Sequence, residues 1–381
     1  MAHIFKHPDN GTKGIIVFTH KEFYLLSSRS VSKKEKIKRL VSFKKNYLRY
    51  LLLKRFKKSI GLIGKYYYVG VHWGFYARDI ETPSWVDFHM TSPGTTTFNG
   101  DPFVIPLSSA HFTPLVMTKE NGCEKYWDLI CVAKNDIKKK YPELLSSVKK
   151  LYEMGEKYRI LFVIASNSVE KKSAYYTSIL DDYFEVFSAE EREMFTIIKT
   201  DPKTGFQGLS YTMLSYFYNR SKVFTLFSQV EGHAKVVKEA QLCGMPIVVK
   251  NDLRGGVKDS LNEKNSLFFS DYDNAHLVLK KAIDNYTSFN VDVESLESEL
   301  GEKKSLERLC HYFKVLYEKN DSFFDGNLIN TSNLNRRLPA HYFDESIKWA
   351  SSSKFRFTTT DITNLEMMEL FLLELKCGVK I

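Results

Sequence analysis

A chain of 381 residues, 43% apolar and 14% aromatic, can bury two ordinary cores and is too rich in large side chains to stay disordered. It has no apolar run of about 18 residues to span a bilayer, no apolar signal-peptide core in its opening MAHIFKHPDNGTKG, and no C-x-x-C pair among its five scattered cysteines, so a cytoplasmic chain without a zinc knuckle or disulfide framework is expected. The net charge of +10 is local: Lys33 to Lys58 holds twelve Lys or Arg against Glu35 alone, which points to an anionic partner of that segment, whether membrane, nucleic acid or acidic glycan.

In chain order, GIIVFT (14–19) reads as a short buried strand. In the basic segment Leu40, Phe43, Tyr47 and Leu51 recur at helical spacing with Lys38, Arg39, Lys45 and Arg49 between them, which predicts a cationic amphipathic helix. KYYYVGV (65–71) is a strand signal. Residues 73–126 carry Pro83, Pro93, Pro102, Pro106 and Pro114 and read as loops and short strands. From Trp127 the pattern changes to strand and helix in alternation. Strands are predicted at 127–133, 159–165, 222–228, 246–250 and 265–269, and helices at 142–157, 209–220, 233–244 and 273–286. Ser188 with Glu191 three residues on forms a further capping box. This alternation predicts a doubly wound α/β domain with a parallel sheet.

The window most informative about chemistry is Lys222 to Phe269. An apolar strand ends at Ser228, a turn carries Glu231 and Gly232, and a helix begins that bears Glu239. Gly244 ends this helix, Pro246 opens the next strand, and Gly255-Gly256 turns the chain after it. Ligands of such sheets bind at the carboxyl ends of the strands. A helix amino end there favours a diphosphate, and Gly232 lets backbone approach a ligand closely. A carboxylate accepts from two neighbouring hydroxyls of a ribose or hexose, and eight helical residues span about 12 Å, which separates a sugar end from a ribose end.

The ordered string strand, Ser-x-x-Glu-Gly, seven-residue gap, Glu-Ala, Gly-x-Pro, strand resembles the donor site of family 4 retaining glycosyltransferases, which have the GT-B fold of two Rossmann-like domains facing a cleft. The resemblance implies that Glu231 contacts the donor sugar and Glu239 the nucleotide ribose, with Gly232, His233, Val236, Gly255 and Gly256 around the donor. Asn265 matches a further family position, although Ser266 stands where glycine is usual. The family's two diphosphate cations fit two registers. In the preferred one, LICVAKNDIKKK (129–140), Lys134 replaces the usual Arg, losing its bidentate fork, and one of Lys138, Lys139 and Lys140 supplies the second cation. In the other, at 162–172, Lys171 serves and Ser166 replaces the Arg.

The resemblance covers about half the chain. It implies an acceptor-side N-terminal domain over 1–126, reduced or atypical, a donor domain over 127–325, and a segment over 326–381 that crosses back to the first domain, with 359–376 as an apolar helix. At the end of the strand KYYYVGV, His72 is the acceptor-side candidate, followed by Arg78-Asp79, Asp87, His89 and His111. The one D-x-D triplet, Asp271-Tyr272-Asp273, sits where aspartates cap helices, so no metal and no cofactor are expected beyond the donor, a UDP- or GDP-sugar. The family implies retention by front-face attack, with a glycan or lipid-linked acceptor, as in surface polysaccharide or glycolipid synthesis. Residues 33–58 would hold the enzyme on the inner face of an anionic membrane. The rival is a non-catalytic nucleotide-sugar binder of the same fold. A nucleic-acid partner is disfavoured, because the aromatics in the basic segment form no recognised motif.

Overall fold

The computed structural model describes residues 2–27, 59–165, 173–199, 209–339, 361–362 and 365–377. The basic segment 33–58, with its predicted amphipathic helix, lies outside these residues.

Two six-stranded sheets make the two halves. The first is built from β1 (Ala2–Lys6), β2 (Gly14–Thr19), β3 (Tyr67–His72), β5 (Phe88–Met90), β7 (Val104–Ile105) and β14 (Asp361–Ile362), in the order β14-β1-β2-β3-β5-β7. β2, β3, β5 and β7 run parallel, whereas β1 is antiparallel to both β2 and β14. A small ribbon, β4 (Ala77–Glu81) with β6 (Thr96–Asn99), stands beside it. The Rossmann pattern is thus kept in four strands, two of them very short, and the N-terminal domain is reduced as the sequence suggested.

The second sheet holds β8 (Trp127–Lys134), β9 (Ile160–Ala165), β10 (Phe195–Lys199), β11 (Ser221–Leu226), β12 (Ile247–Lys250) and β13 (Ser266–Phe269). All neighbours are parallel, in the order β10-β9-β8-β11-β12-β13. β8 and β9 are continuous apolar runs because helices cover both faces of such a sheet. Its core runs from Met117 to Leu300.

The apolar cores divide the chain at Leu300 rather than at residue 326. The helix Glu302–Glu318 presents Leu309, Phe313, Leu316 and Tyr317 to Phe5, Val17, Tyr68, Phe88 and Ile105 of the first sheet. It therefore belongs to the N-terminal half, which it joins through the bridge between Thr113 and Gly301. The helix Leu365–Cys377 packs Met368, Phe371, Leu372 and Leu375 on the other face of that sheet, against Ile4, Ile16, Phe18 and Val69.

Candidate functional site

In the second sheet the strand order reverses between β8 and β11. Connections leave to opposite sides there and open a crevice at the carboxyl ends. Lys134 ends β8 at the surface. Asp136 then caps a single 3-10 turn, Ile137–Lys139, accepting from the Lys138 N–H at 3.0 Å. Lys140 takes a left-handed conformation, φ +57°, that turns the chain into the helix Tyr141–Glu153. This geometry separates the three lysines. Lys139 Nζ reaches across the crevice to the Glu231 carboxylate, a pair whose side chains are 17% and 12% exposed. Lys140 Nζ pairs instead with Glu143 at 2.7 Å, and Lys138 stays exposed. Lys140 is thus engaged with its own helix and not with Glu231. Ser166 and Lys171, the other register, lie outside the described residues.

The Glu231 turn is held from two sides. The Glu231 N–H donates to the Arg254 carbonyl at 3.0 Å, and the Gly256 N–H donates to the Gly232 carbonyl at 2.9 Å. Gly255 has φ +108°, and a Cβ on it would fall on the Glu231 carbonyl oxygen. On the other side stand the carboxyl-end loops of the first sheet. A Cβ on Gly232 would come within 2.5 Å of the Gly74 carbonyl oxygen and the Phe75 Cα. Thr95 Oγ1 accepts from the Gly256 N–H at 3.1 Å and donates to the Gly232 carbonyl at 3.2 Å. The Ser92 hydroxyl meets His233 Nδ1, with Ser108 Oγ at 3.4 Å from the same nitrogen. His233 is thereby a bridge between the domains. Burial, with Lys238 and His111 near, holds its imidazole well below the usual histidine range.

The helix Lys235–Leu242 follows, two residues later than its predicted start. Val236 packs on the domain core. Glu239 is 4% exposed and accepts from the Tyr218 hydroxyl at 3.3 Å. Burial raises its carboxyl, while Lys235, Tyr218 and Arg336 pull it back down. Asn265 is buried as well, donating to the Ser260 carbonyl at 2.9 Å and accepting from the Asn262 N–H.

His72 is corrected from catalytic to structural. It is fully buried, and its Nε2 accepts the Ser109 N–H at 3.0 Å. Burial first, then His20, Lys235 and His111, push its pKa down to about 3, so the ring is neutral and its acceptor nitrogen is in use. The same holds for His89, between the Trp73 indole N–H at 3.0 Å and Thr82, and for His111, which accepts the Ser108 N–H. Asp87 accepts the Val69 N–H at 2.7 Å. Asp271 accepts from the Asn274 N–H at 2.9 Å, at the start of the helix Ala275–Asp284, and Asp273 stands beside Lys150 at 3.6 Å. Among the described residues no three His, Cys, Asp or Glu side chains gather as a metal site.

Sequence reasoning missed Ser92 and Thr95, because a Ser-Pro-Gly-Thr stretch announces a turn but not which domain it will meet. It also missed Lys235 and Arg336. Lys235 Nζ donates to the Asn335 carbonyl at 2.8 Å, and Arg336 Nε donates to the Tyr211 hydroxyl at 3.2 Å. Both contacts come from the chain that returns after residue 326, where no motif marks a site.

No protein-family model and no curated protein matches the sequence. Solved structures do. A UDP-forming α,α-trehalose-phosphate synthase from Burkholderia xenovorans, solved with glucose-6-phosphate, superposes with a TM-score of 0.50 at 11% identity, over 83% of this chain and 89% of that one. The fold is GT-B. The pneumococcal O-GlcNAc transferase GtfA, solved with UDP and GlcNAc, gives a TM-score of 0.47 at 14% identity, over 68% of this chain and 54% of that one. A sucrose-phosphate synthase from Thermosynechococcus elongatus gives 0.49 at 12% identity, over 80% and 68%. The chain spans about half the length of GtfA. In GT-B terms the cleft is the space between the β8 and β11 ends and the Gly74, Ser92 and Ser108 loops.

Proposed function

We propose that the protein is a retaining glycosyltransferase. It would move a hexose-type sugar from a nucleoside diphosphate donor, a UDP- or GDP-sugar, to a hydroxyl of a glycan or lipid-linked acceptor. The observation that carries the proposal is the meeting of Lys139 and Glu231, 92 residues apart in sequence, at the strand ends where an open α/β sheet binds nucleotides. Lys139 and Lys134 neutralise the departing diphosphate together with the amino end of the helix Lys235–Leu242. Glu231 faces the donor sugar and Glu239 the ribose. With His72 and His89 buried and neutral, the acceptor proton passes to the leaving phosphate.

Thermal unfolding with UDP, GDP and their sugars tests this. A bound nucleoside diphosphate at a hundredfold excess over Kd stabilises by about 2.7 kcal/mol. Glu239→Ala is expected to weaken that nucleotide by about 1–3 kcal/mol, since ribose hydroxyls lose a charged acceptor. Unchanged affinity removes Glu239 from the site. Lysines and a helix amino end can do the work of a cation on the diphosphate, so transfer is expected to persist in EDTA. Loss restored by manganese would turn attention to Asp271 and Asp273.

We also propose that residues 33–58 attach the enzyme to anionic membrane at its inner face, where a lipid-linked acceptor resides. Each Lys or Arg near such a surface contributes about 1 kcal/mol. Vesicles with phosphatidylserine are expected to co-sediment the protein and release it as salt rises. Gln in place of Lys44, Lys45, Lys57 and Lys58 should release it while donor binding is kept. A wild type that ignores such vesicles at low salt ends the membrane proposal.

A further inference from the structure

Glu239 lies in a buried pocket of charge assembled from three parts of the chain. Its own helix supplies Lys235 one turn earlier, on the same face, and Cys243 one turn later. The helix Tyr211–Asn219 supplies Tyr218, whose hydroxyl is 3.3 Å from Oε2, and Tyr211. The returning chain supplies Arg336, whose guanidinium stacks over the Tyr211 ring at 4.6 Å. Asn335 locks this arrangement, donating to the Tyr211 hydroxyl at 2.6 Å while its carbonyl accepts from Lys235 Nζ at 2.8 Å. Lys134, at the end of β8, adds a further positive field on Lys235. The Glu239 carboxylate thus has two cations acting on it, Lys235 and Arg336.

We propose that Lys235 and Arg336 are positioning residues for nucleotide binding, which keep Glu239 ionised and fixed so that it can accept hydrogen bonds from ribose. The inference rests on the ribose role proposed above for Glu239. A buried carboxylic acid protonates unless opposite charge stands beside it. A protonated Glu239 would spend one oxygen as a donor and lose the two-acceptor geometry a ribose diol needs. Burial pulls Lys235 down to about 7, with the neighbouring Arg336 and Lys134 adding to this and Glu239 opposing it. A guanidinium, unlike an ammonium, does not give up its charge in proteins. Arg336 is therefore the more constant of the two counter-charges. The segment that returns to the N-terminal domain then also completes the nucleotide site of the other domain.

The test is the pH dependence of UDP and GDP affinity, read by calorimetry between pH 5.5 and 8.5 in the full-length protein. The carboxylate form binds, so affinity is present above the Glu239 pKa and lost as pH falls through it. Arg336→Gln and Lys235→Met should move that fall upward by about one pH unit, which makes binding about threefold weaker midway between the two midpoints, about tenfold weaker below both, and nearly unchanged at pH 8.5. Arg336→Lys should restore most of the profile. Glu239→Gln should bind weakly at every pH, and adding Arg336→Gln to it should cost nothing more. A loss in Arg336→Gln that is equal at all pH values, or no loss, overturns the inference while the ribose role of Glu239 stands. If Glu239→Gln binds as the wild type does at every pH, the ribose role itself falls, and this inference with it.

Discussion

Replacing Glu231 with alanine is expected to lower sugar transfer by about two to three orders of magnitude, the loss typical of one polar group that acts on developing charge in a dry site. Nucleoside diphosphate affinity should hold or rise in the same variant. In the wild type Lys139 Nζ is tied to the Glu231 carboxylate. Truncation frees that ammonium for phosphate, while the lost carboxylate belonged to the sugar end. A selective fall in kcat with unchanged nucleotide binding is the signature of an interaction used in the transition state. Steady-state transfer kinetics beside calorimetry with the nucleoside diphosphate would decide it. Turnover within threefold of wild type would exclude Glu231 from the chemistry.

Gly255→Ala should damage both stability and activity. The backbone at Gly255 has φ +108°, where a Cβ-bearing residue is strained by about 1–3 kcal/mol. The new Cβ would also overlap the Glu231 carbonyl oxygen and lie 2.8 Å from its carbonyl carbon, so the turn must shift. Together these predict about 3 kcal/mol of lost stability, or a fall in Tm of roughly 6–12 °C for a domain of this size. Transfer should fall with it, because the Glu231 N–H bond to Arg254 and the Gly256 N–H bond to Gly232 fix the carboxylate. Gly256→Ala is the control. Its Cβ would meet Thr95 Oγ1 and the Pro93 carbonyl oxygen of the other domain, so approach of the domains should suffer more than the turn itself. Scanning calorimetry of the two variants separates these effects, and an unchanged Tm for Gly255→Ala would refute the strain argument.

How legible the fold was differs between the halves for a physical reason. β8, β9, β11 and β12 are buried on both faces through their middles, so they appear as mainly apolar runs between amphipathic helices, and the sequence placed each within about two residues. β10, FTIIK, escaped notice because only half-buried residues mark it. β5 and β7, three and two residues long, carry too little pattern to show a period. The helix Glu302–Glu318 has a clear apolar stripe, but a stripe does not say which of two sheets it will cover. At the site, the Glu231 turn and the Gly255-Gly256 turn were legible because their spacing is local. His72 was placed at the right strand end, but burial to zero exposure depends on the Ser109 loop 37 residues away and on the returning chain. The partners of His233 and Glu239 that come from Ser92 and Arg336 are tertiary facts with no local trace.

The early departure of the chain from the second domain at Leu300 has a consequence for synthesis. The second domain, from Met117 to Leu300, is continuous and can collapse as soon as it clears the ribosome. The first domain, though begun earlier, still lacks the helix Glu302–Glu318 under its sheet, the strand β14 at its edge and the helix Leu365–Cys377 on its other face. Until those arrive, Phe5, Val17, Tyr68 and Phe88 have no cover, and β1 has an open edge at which a foreign strand can pair. The half made first is therefore the half finished last. Truncation from the carboxyl end should yield a folded second domain carrying an aggregation-prone stub.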